Sequence, residues 1–193
     1  MEIEIKRLTP DLADDYVHFF DVTPHDEYVD AHKCYCVCWC ADDYEGKDFS
    51  TAQKRRAAAH QYVKQGIIQG YLAYHAGQPV GWCNANTKVN CLKCCSWRMF
   101  MKDVCIDTSE KVKSVFCFVI APQHQRQGIA SALLEQVIND AQAEGFDSVE
   151  AYPNKDFQSI ASDFMGPSNM FVKYGFKVIG ETGEKHIMCK ELK

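Results

Sequence analysis

The chain has 193 residues, a length that a single hydrophobic core can fill, so one domain is expected over 1–193. With 47% hydrophobic and 24% charged residues, the composition excludes wholesale disorder and fibrous repeats. The formal charge of −5 disfavours a nucleic-acid partner and suits a cationic substrate.

The longest uninterrupted apolar run, Val115 to Ala121, is far short of the roughly 20 residues needed to cross a bilayer. No membrane partner is therefore expected. The start, Met1-Glu-Ile-Glu-Ile-Lys-Arg7, alternates charged and apolar residues and reads as a strand over 2–8, not as a secretory signal, which leads to a cytoplasmic expectation. Thr9-Pro10-Asp11 marks a helix start with Thr9 as N-cap, and Leu12, Tyr16, Phe19 and Phe20 share a helical face. Residues 21–49 form an irregular connection rich in aromatics, Cys, His and Asp, long enough to be a candidate acceptor-site loop. A second helix runs from Ser50-Thr51 to Gln65 and stops at Gly66. Gly70–His75, the turn Ala76-Gly77-Gln78-Pro79 and Val80–Asn86 read as a hairpin, and residues 87–110 carry no clear periodicity.

Val112–Ile120 has the apolar density of a strand buried on both faces. After Gly128, the positions Ala130, Leu133, Leu134, Val137, Ile138 and Ala141 follow the helical period until Gly145. Asp147–Tyr152 reads as a strand, Asn169–Tyr174 as a short helix and Lys185–Lys190 as a last strand. The fold class is α/β: a mixed, mostly antiparallel sheet with helices on both faces.

Eleven cysteines, an odd number, argue against a complete disulfide framework and for reduced thiols. In an extended segment, Cys34, Cys36, Cys38 and Cys40 would line one face about 7 Å apart, too far for neighbours to share an ion. Zinc sites usually use Cys-x-x-Cys knuckles, so no metal is expected and small buried hydrophobes are the favoured reading, with a redox or metal regulator as the alternative.

The chemistry-bearing segment is the strand ending Phe118-Val119-Ile120-Ala121-Pro122, the polar loop Gln123–Gly128 and the helix that follows. A loop of this kind opening a helix offers free N–H groups and the positive end of the helix dipole, an anion cradle. It is not a Walker loop, having no Gly-Lys-Ser/Thr, nor the three-glycine dinucleotide fingerprint.

Gln125-Arg126-Gln127-Gly128-Ile129-Ala130 resembles the Gln/Arg-x-x-Gly-x-Gly/Ala signature of the GNAT superfamily of acetyl-CoA-dependent N-acetyltransferases. Met170-Phe171-Val172-Lys173-Tyr174-Gly175-Phe176 is similar to that family's late Leu-Tyr-x-Lys-x-Gly-Phe element, and the segments occur in the family's order. The resemblance implies an acetyl-CoA-binding core over 68–193 behind an N-terminal part, 1–67, and a splay between the strands 112–120 and 147–152. It assigns the pyrophosphate of acetyl-CoA to the amides of Gln125, Arg126, Gln127, Gly128, Ile129, Ala130 and Ser131. The pantetheine arm falls to the backbone of Phe118, Val119 and Ile120, with Phe171 beside it. The implied reaction is direct attack of a primary amine on the thioester, with a backbone N–H polarising the carbonyl.

Two positions depart from the family: Phe164 falls where an asparagine is usual, and Phe171 stands where a tyrosine usually protonates the departing thiolate. A thiol of pKa about 8.5 leaves tolerably well without that acid. Strand Lys113–Ile120 holds no carboxylate. The candidate catalytic base and acid are Glu150 and Tyr152, which share one face of the neighbouring strand near the expected splay, with water as the alternative base. The expected acceptor is a small cationic amine. A protein amine, or a non-catalytic acyl-CoA sensor, is the alternative. The expected oligomeric state is a monomer or a homodimer.

Overall fold

The computed structural model describes residues 2–24, 33–40, 46–101, 104, 109–159 and 163–193. Seven strands form one sheet in the order β1-β2-β3-β4-β5-β7-β6: β1 (Glu4–Arg7), β2 (Gly70–His75), β3 (Gln78–Thr87), β4 (Val112–Ile120), β5 (Ser148–Ala151), β6 (Lys177–Thr182) and β7 (Lys185–Glu191). Only β4 and β5 are parallel; every other neighbouring pair is antiparallel. The α/β reading with a mostly antiparallel sheet is the architecture found. β1, from the N-terminal part, pairs with β2, so 1–67 and 68–193 share the sheet.

Among the described residues, five α-helices cover the two faces: α1 (Ala13–Val22), α2 (Ala52–Lys64), α3 (Cys95–Phe100), α4 (Ile129–Ala143) and α5 (Ser168–Lys173). On one face α1 buries Tyr16, Phe19 and Phe20 in a core with Trp39, Trp82, Phe116 and Tyr152. On the other, Leu133, Leu134, Val137 and Ile138 of α4 pack with Val115, Phe118, Val149 and Phe171. The apolar period of α4 fixes this face, and removing those side chains from water supplies most of its stabilisation.

Several local expectations are corrected. Thr9 makes no side-chain cap; Pro10–Leu12 forms a 3-10 turn before α1 begins, because proline's fixed φ starts the tight turn by itself. The hairpin turn is the two residues Ala76 and Gly77, both with positive φ (49° and 76°), as a primed turn demands. Pro79 already belongs to β3, beside a bulge where no ladder N–H is needed.

Within residues 87–110, α3 is capped by the Cys94 thiol, whose Sγ accepts from Trp97 N at 3.4 Å, an unusual cap that composition does not announce. The edge strand β6 escaped the sequence reading because Val178 and Ile179 are exposed and Gly180 interrupts the pattern. It forms through pairing with β7.

The cysteine segment is not extended. Tyr35 and Cys36 have positive φ (48° and 54°), and Val37–Trp39 is a 3-10 turn. Cys36 and Cys40 are buried while Cys34 and Cys38 are half-buried, so the four thiols do not line one face. Residues 25–32 and 41–45 of the candidate acceptor loop, and Cys105, lie outside the described residues.

Candidate active site

The β4–β5 pairing runs only from Val112↔Ser148 to Val115↔Ala151. On its other edge β4 carries a bulge: Ala85 pairs with Val115 and Asn84 with Cys117, leaving Phe116 without an opposite residue. Beyond Val115, the edge of β4 that faced β5 is free of any strand partner among the described residues. The backbone bond Ala121 N to Val80 O, at 2.9 Å, sets the ladder phase. Val119 turns its N–H and C=O toward β3, whereas Phe118 and Ile120 turn theirs into the gap.

Two of those gap-facing groups have partners within the chain. The Phe118 N–H donates to the Phe164 carbonyl at 2.7 Å, and the Ile120 carbonyl accepts from Gln125 Nε2 at 3.2 Å.

The loop after β4 enters α4 through two left-handed residues, Arg126 at φ 58° and Gly128 at φ 84°. Glycine tolerates that conformation without cost, and a Cβ there would meet nothing within 4 Å, so the space in front of it is open. No side chain caps α4 and its first turn carries no acid, so its leading N–H groups and positive dipole end are available to an anion.

A cavity of about 340 Å³ joins this helix start to the free edge of β4. Of the residues expected at the cofactor, Phe118, Ile120, Gln125, Arg126, Gly128, Ile129, Ala130 and Ser131 line it together. Val119, Gln127 and Phe171 are not among its lining residues. Gln127 donates to the Gln123 carbonyl at 3.0 Å. Phe171 is fully buried behind the wall, 5.3 Å from the Phe176 ring and 6.3 Å from that of Phe118.

The opposite wall is Phe157, Asp163, Phe164, Gly166, Met170 and Lys173, none of which was expected from sequence to touch the cofactor. Its sequence signals are the dipeptide Gly166-Pro167 before α5 and the late element 170–176 that supplies Met170 and Lys173. The buried Asp163 carboxylate holds that wall by accepting from the Gln158 and Ser159 amides at 2.6 and 2.9 Å and from Asn154 Nδ2. Arg126 and Lys173 supply positive charge on either side.

Glu150 and Tyr152 lie on the other face of the sheet, outside this cavity. Glu150 accepts from the buried Lys88 ammonium at 2.8 and 3.0 Å and from the Tyr152 hydroxyl at 2.7 Å. The Tyr152 hydroxyl also meets Ser114 Oγ at 2.8 Å. Burial, reinforced by the Glu150 charge, pushes the phenol well above its usual pKa, so it stays protonated. The Tyr152 ring stacks on Phe116 at the bulge, 5.7 Å between centroids, and Phe116 stacks on Trp39 at 4.9 Å. On the same side of β3 as Trp82, two residues along the strand, the Asn84 amide is fully buried with no hydrogen-bond partner among the described residues.

A strand that leaves its neighbour beside a helix start able to hold an anion makes a candidate site for an extended, anionic ligand. The acetyltransferase (GNAT) family model matches residues 6–162, and the chain belongs to that family. It is an acyltransferase that takes acetyl groups from acetyl-CoA.

Solved structures agree in fold. An acetyltransferase of the GNAT family from Streptococcus pneumoniae matches with a TM-score of 0.58 and 16% identity, covering 100% of both chains. The PaiA N-acetyltransferase from Thermoplasma acidophilum, in complex with coenzyme A, matches at 0.55 and 14%, covering 99% of each chain. YncA from Salmonella typhimurium, with its cofactor acetyl-CoA, matches at 0.53 and 15%, covering 99% of this chain and 94% of that one. No curated protein matches the chain in sequence. Among the described residues no helix is long and apolar enough to cross a membrane, and no group of three or more His, Cys, Asp or Glu could hold a metal ion.

Proposed function

We propose that the protein acetylates the primary amine of a small cationic molecule by direct attack on acetyl-CoA, as a cytoplasmic enzyme with reduced thiols. The observation that carries this reading is the cavity shared by the free edge of β4 and the uncapped start of α4. Acetyl-CoA supplies the activated acyl group. The N–H groups of Gly128, Ile129, Ala130 and Ser131 bind its diphosphate, with Arg126 and Lys173 adding charge from the two walls.

Phe118 and Ile120 align the pantetheine arm by strand-like hydrogen bonds. A gap-facing amide polarises the thioester carbonyl, where negative charge develops. The Phe118 amide is the donor nearest the point where β5 leaves β4, and it serves once the Phe164 carbonyl yields it. The amine must reach the thioester carbon and lose its proton before attack. In this reading Glu150 and Tyr152 act as positioning groups: the carboxylate is committed to Lys88 and the phenolic proton to Glu150. Water takes the proton. The excess of acidic residues supports a cationic acceptor.

Thiol release from acetyl-CoA, measured across amino sugars, polyamines and amino-acid amides, tests this reading. Turnover with a small amine is the expected result. Tight coenzyme A binding with no turnover on any amine, including peptide amines, would replace the enzyme with an acyl-CoA sensor. That second reading is favoured by the occupied Phe118 amide and the phenylalanine at position 171.

A further inference from the structure

A second cavity, of about 410 Å³, opens at the other end of β4, beside Lys113 and away from Phe118 and Ile120. It is bordered by three cations, Arg7, Lys111 and Lys113, with Thr87, Gln69 and Glu144 around them. Their compensation is uneven. Arg7 pairs with Asp140 at 2.8 Å and with Glu144. The Lys111 ammonium donates to the Glu144 carbonyl at 2.7 Å. The side chain of Lys113 is only 8% exposed, yet its ammonium makes no hydrogen bond among the described residues, and its one carboxylate neighbour, Glu144, is 3.8 Å away.

Both lysine ammoniums lie against the Phe146 ring, at 4.2 and 4.3 Å from its centroid. A ring face softens the charge but accepts no conventional hydrogen bond. Three positive groups face two carboxylates, Asp140 and Glu144, leaving one excess positive charge. The nearby Asp147 is taken by the Lys111 amide and the Lys193 ammonium.

An ammonium on a side chain only 8% exposed, with no hydrogen-bond acceptor among the described residues, is costly unless something completes it. We propose that this cavity binds a small oxyanion, a phosphate or a carboxylate, with Lys113 as its central ligand and Lys111 and Arg7 at its rim. Burial pushes the Lys113 ammonium below its ordinary pKa and Glu144 opposes that shift only in part, which is the state an incoming anion relieves. The Gln69 amide and Thr87 hydroxyl offer neutral donors to the remaining oxygens.

The experiment is titration of the full chain with inorganic phosphate and, separately, with acetate and succinate. It is followed by calorimetry and thermal melting in the presence of saturating desulfo-coenzyme A. That analogue fills the first cavity, so phosphate cannot report on the α4 start. Saturable binding of either anion is expected, weakened about tenfold or more by Lys113→Met, which keeps the apolar stem and removes the donor. Lys111→Met should weaken it less, and coenzyme A affinity should not move in either variant. Phosphate soaked into crystals should appear against Lys113 Nζ, a readout independent of whether the variants fold. No saturable binding of any of the three anions, or binding unchanged by Lys113→Met, would overturn the site. Neither outcome touches the acetyl-CoA reading.

Discussion

The Phe118 amide donates to the Phe164 carbonyl across the gap left by β5, at 2.7 Å, so one segment of the chain occupies the β4 edge that an acyl carrier needs. The neighbouring Asp163 anchors that segment through the Gln158 and Ser159 amides and Asn154. Asp163→Asn replaces one acceptor oxygen with a donor facing donors. Stability should fall by about 1–3 kcal/mol, because a buried charge-assisted network loses its acceptor. KM for acetyl-CoA should rise more than kcat falls, since the wall of the cavity moves and the reacting groups do not. Denaturant midpoints and steady-state kinetics check this, and an unchanged KM would separate the segment from donor binding.

Gly128 is the second lever. At φ 84°, with open space where a Cβ would point, Gly128→Val meets no clash in the protein itself. The folded state should lose about 1–2 kcal/mol from the left-handed conformation. The valine methyls would then project into the proposed diphosphate site, costing about ten- to a hundredfold in coenzyme A affinity through lost charge-assisted hydrogen bonds. Calorimetry beside a thermal melt distinguishes this from unfolding. Full affinity in a folded variant would remove the helix start from the donor site.

What the sequence makes legible follows the range of the forces involved. Val112–Ile120 and α4 could be read because their burial is written in local periodicity, and Gly128 because a left-handed helix entrance selects its residue type. The cavity half built by Phe118, Gln125, Arg126 and Ala130 came with them, since those residues are neighbours in the chain. The Phe164 wall was not legible, because it meets β4 across 46 positions through backbone atoms that carry no residue signature. β6 depends on the same kind of tertiary pairing, and the left-handed Tyr35-Cys36 turn overrides the alternation of the cysteines.

The buried row Lys88, Glu150, Tyr152 and Ser114 separates a structural role from a chemical one. Glu150→Gln leaves Lys88 without its counter-charge and should cost about 3–5 kcal/mol, the usual penalty for breaking a buried pair. Tyr152→Phe removes one hydroxyl from the network and should cost about 1–2 kcal/mol. As positioning groups, the two should leave the shape of the pH profile of kcat/KM intact. If Glu150 were the base, the acidic limb of that profile would vanish in Glu150→Gln, with a loss of about a hundredfold or more.

The acid limb of stability should depend on Asp140. Burial alone would raise its pKa, but hydrogen bonds from Arg7, Tyr71 and Gln136 outweigh it and hold the carboxyl below its ordinary value. The carboxylate form is therefore favoured by folding. Its contribution is fully present above the unfolded pKa, near 4, and is lost as pH falls through the lower folded value. Asp140→Asn should reduce stability at pH 7, where Arg7 loses one of its two carboxylate partners, and should flatten the decline below about pH 4. The difference between wild type and variant should thus shrink toward low pH. Urea unfolding from neutral pH down to the acid range measures it, and a constant difference throughout would mean that Asp140 binds its proton equally in both states.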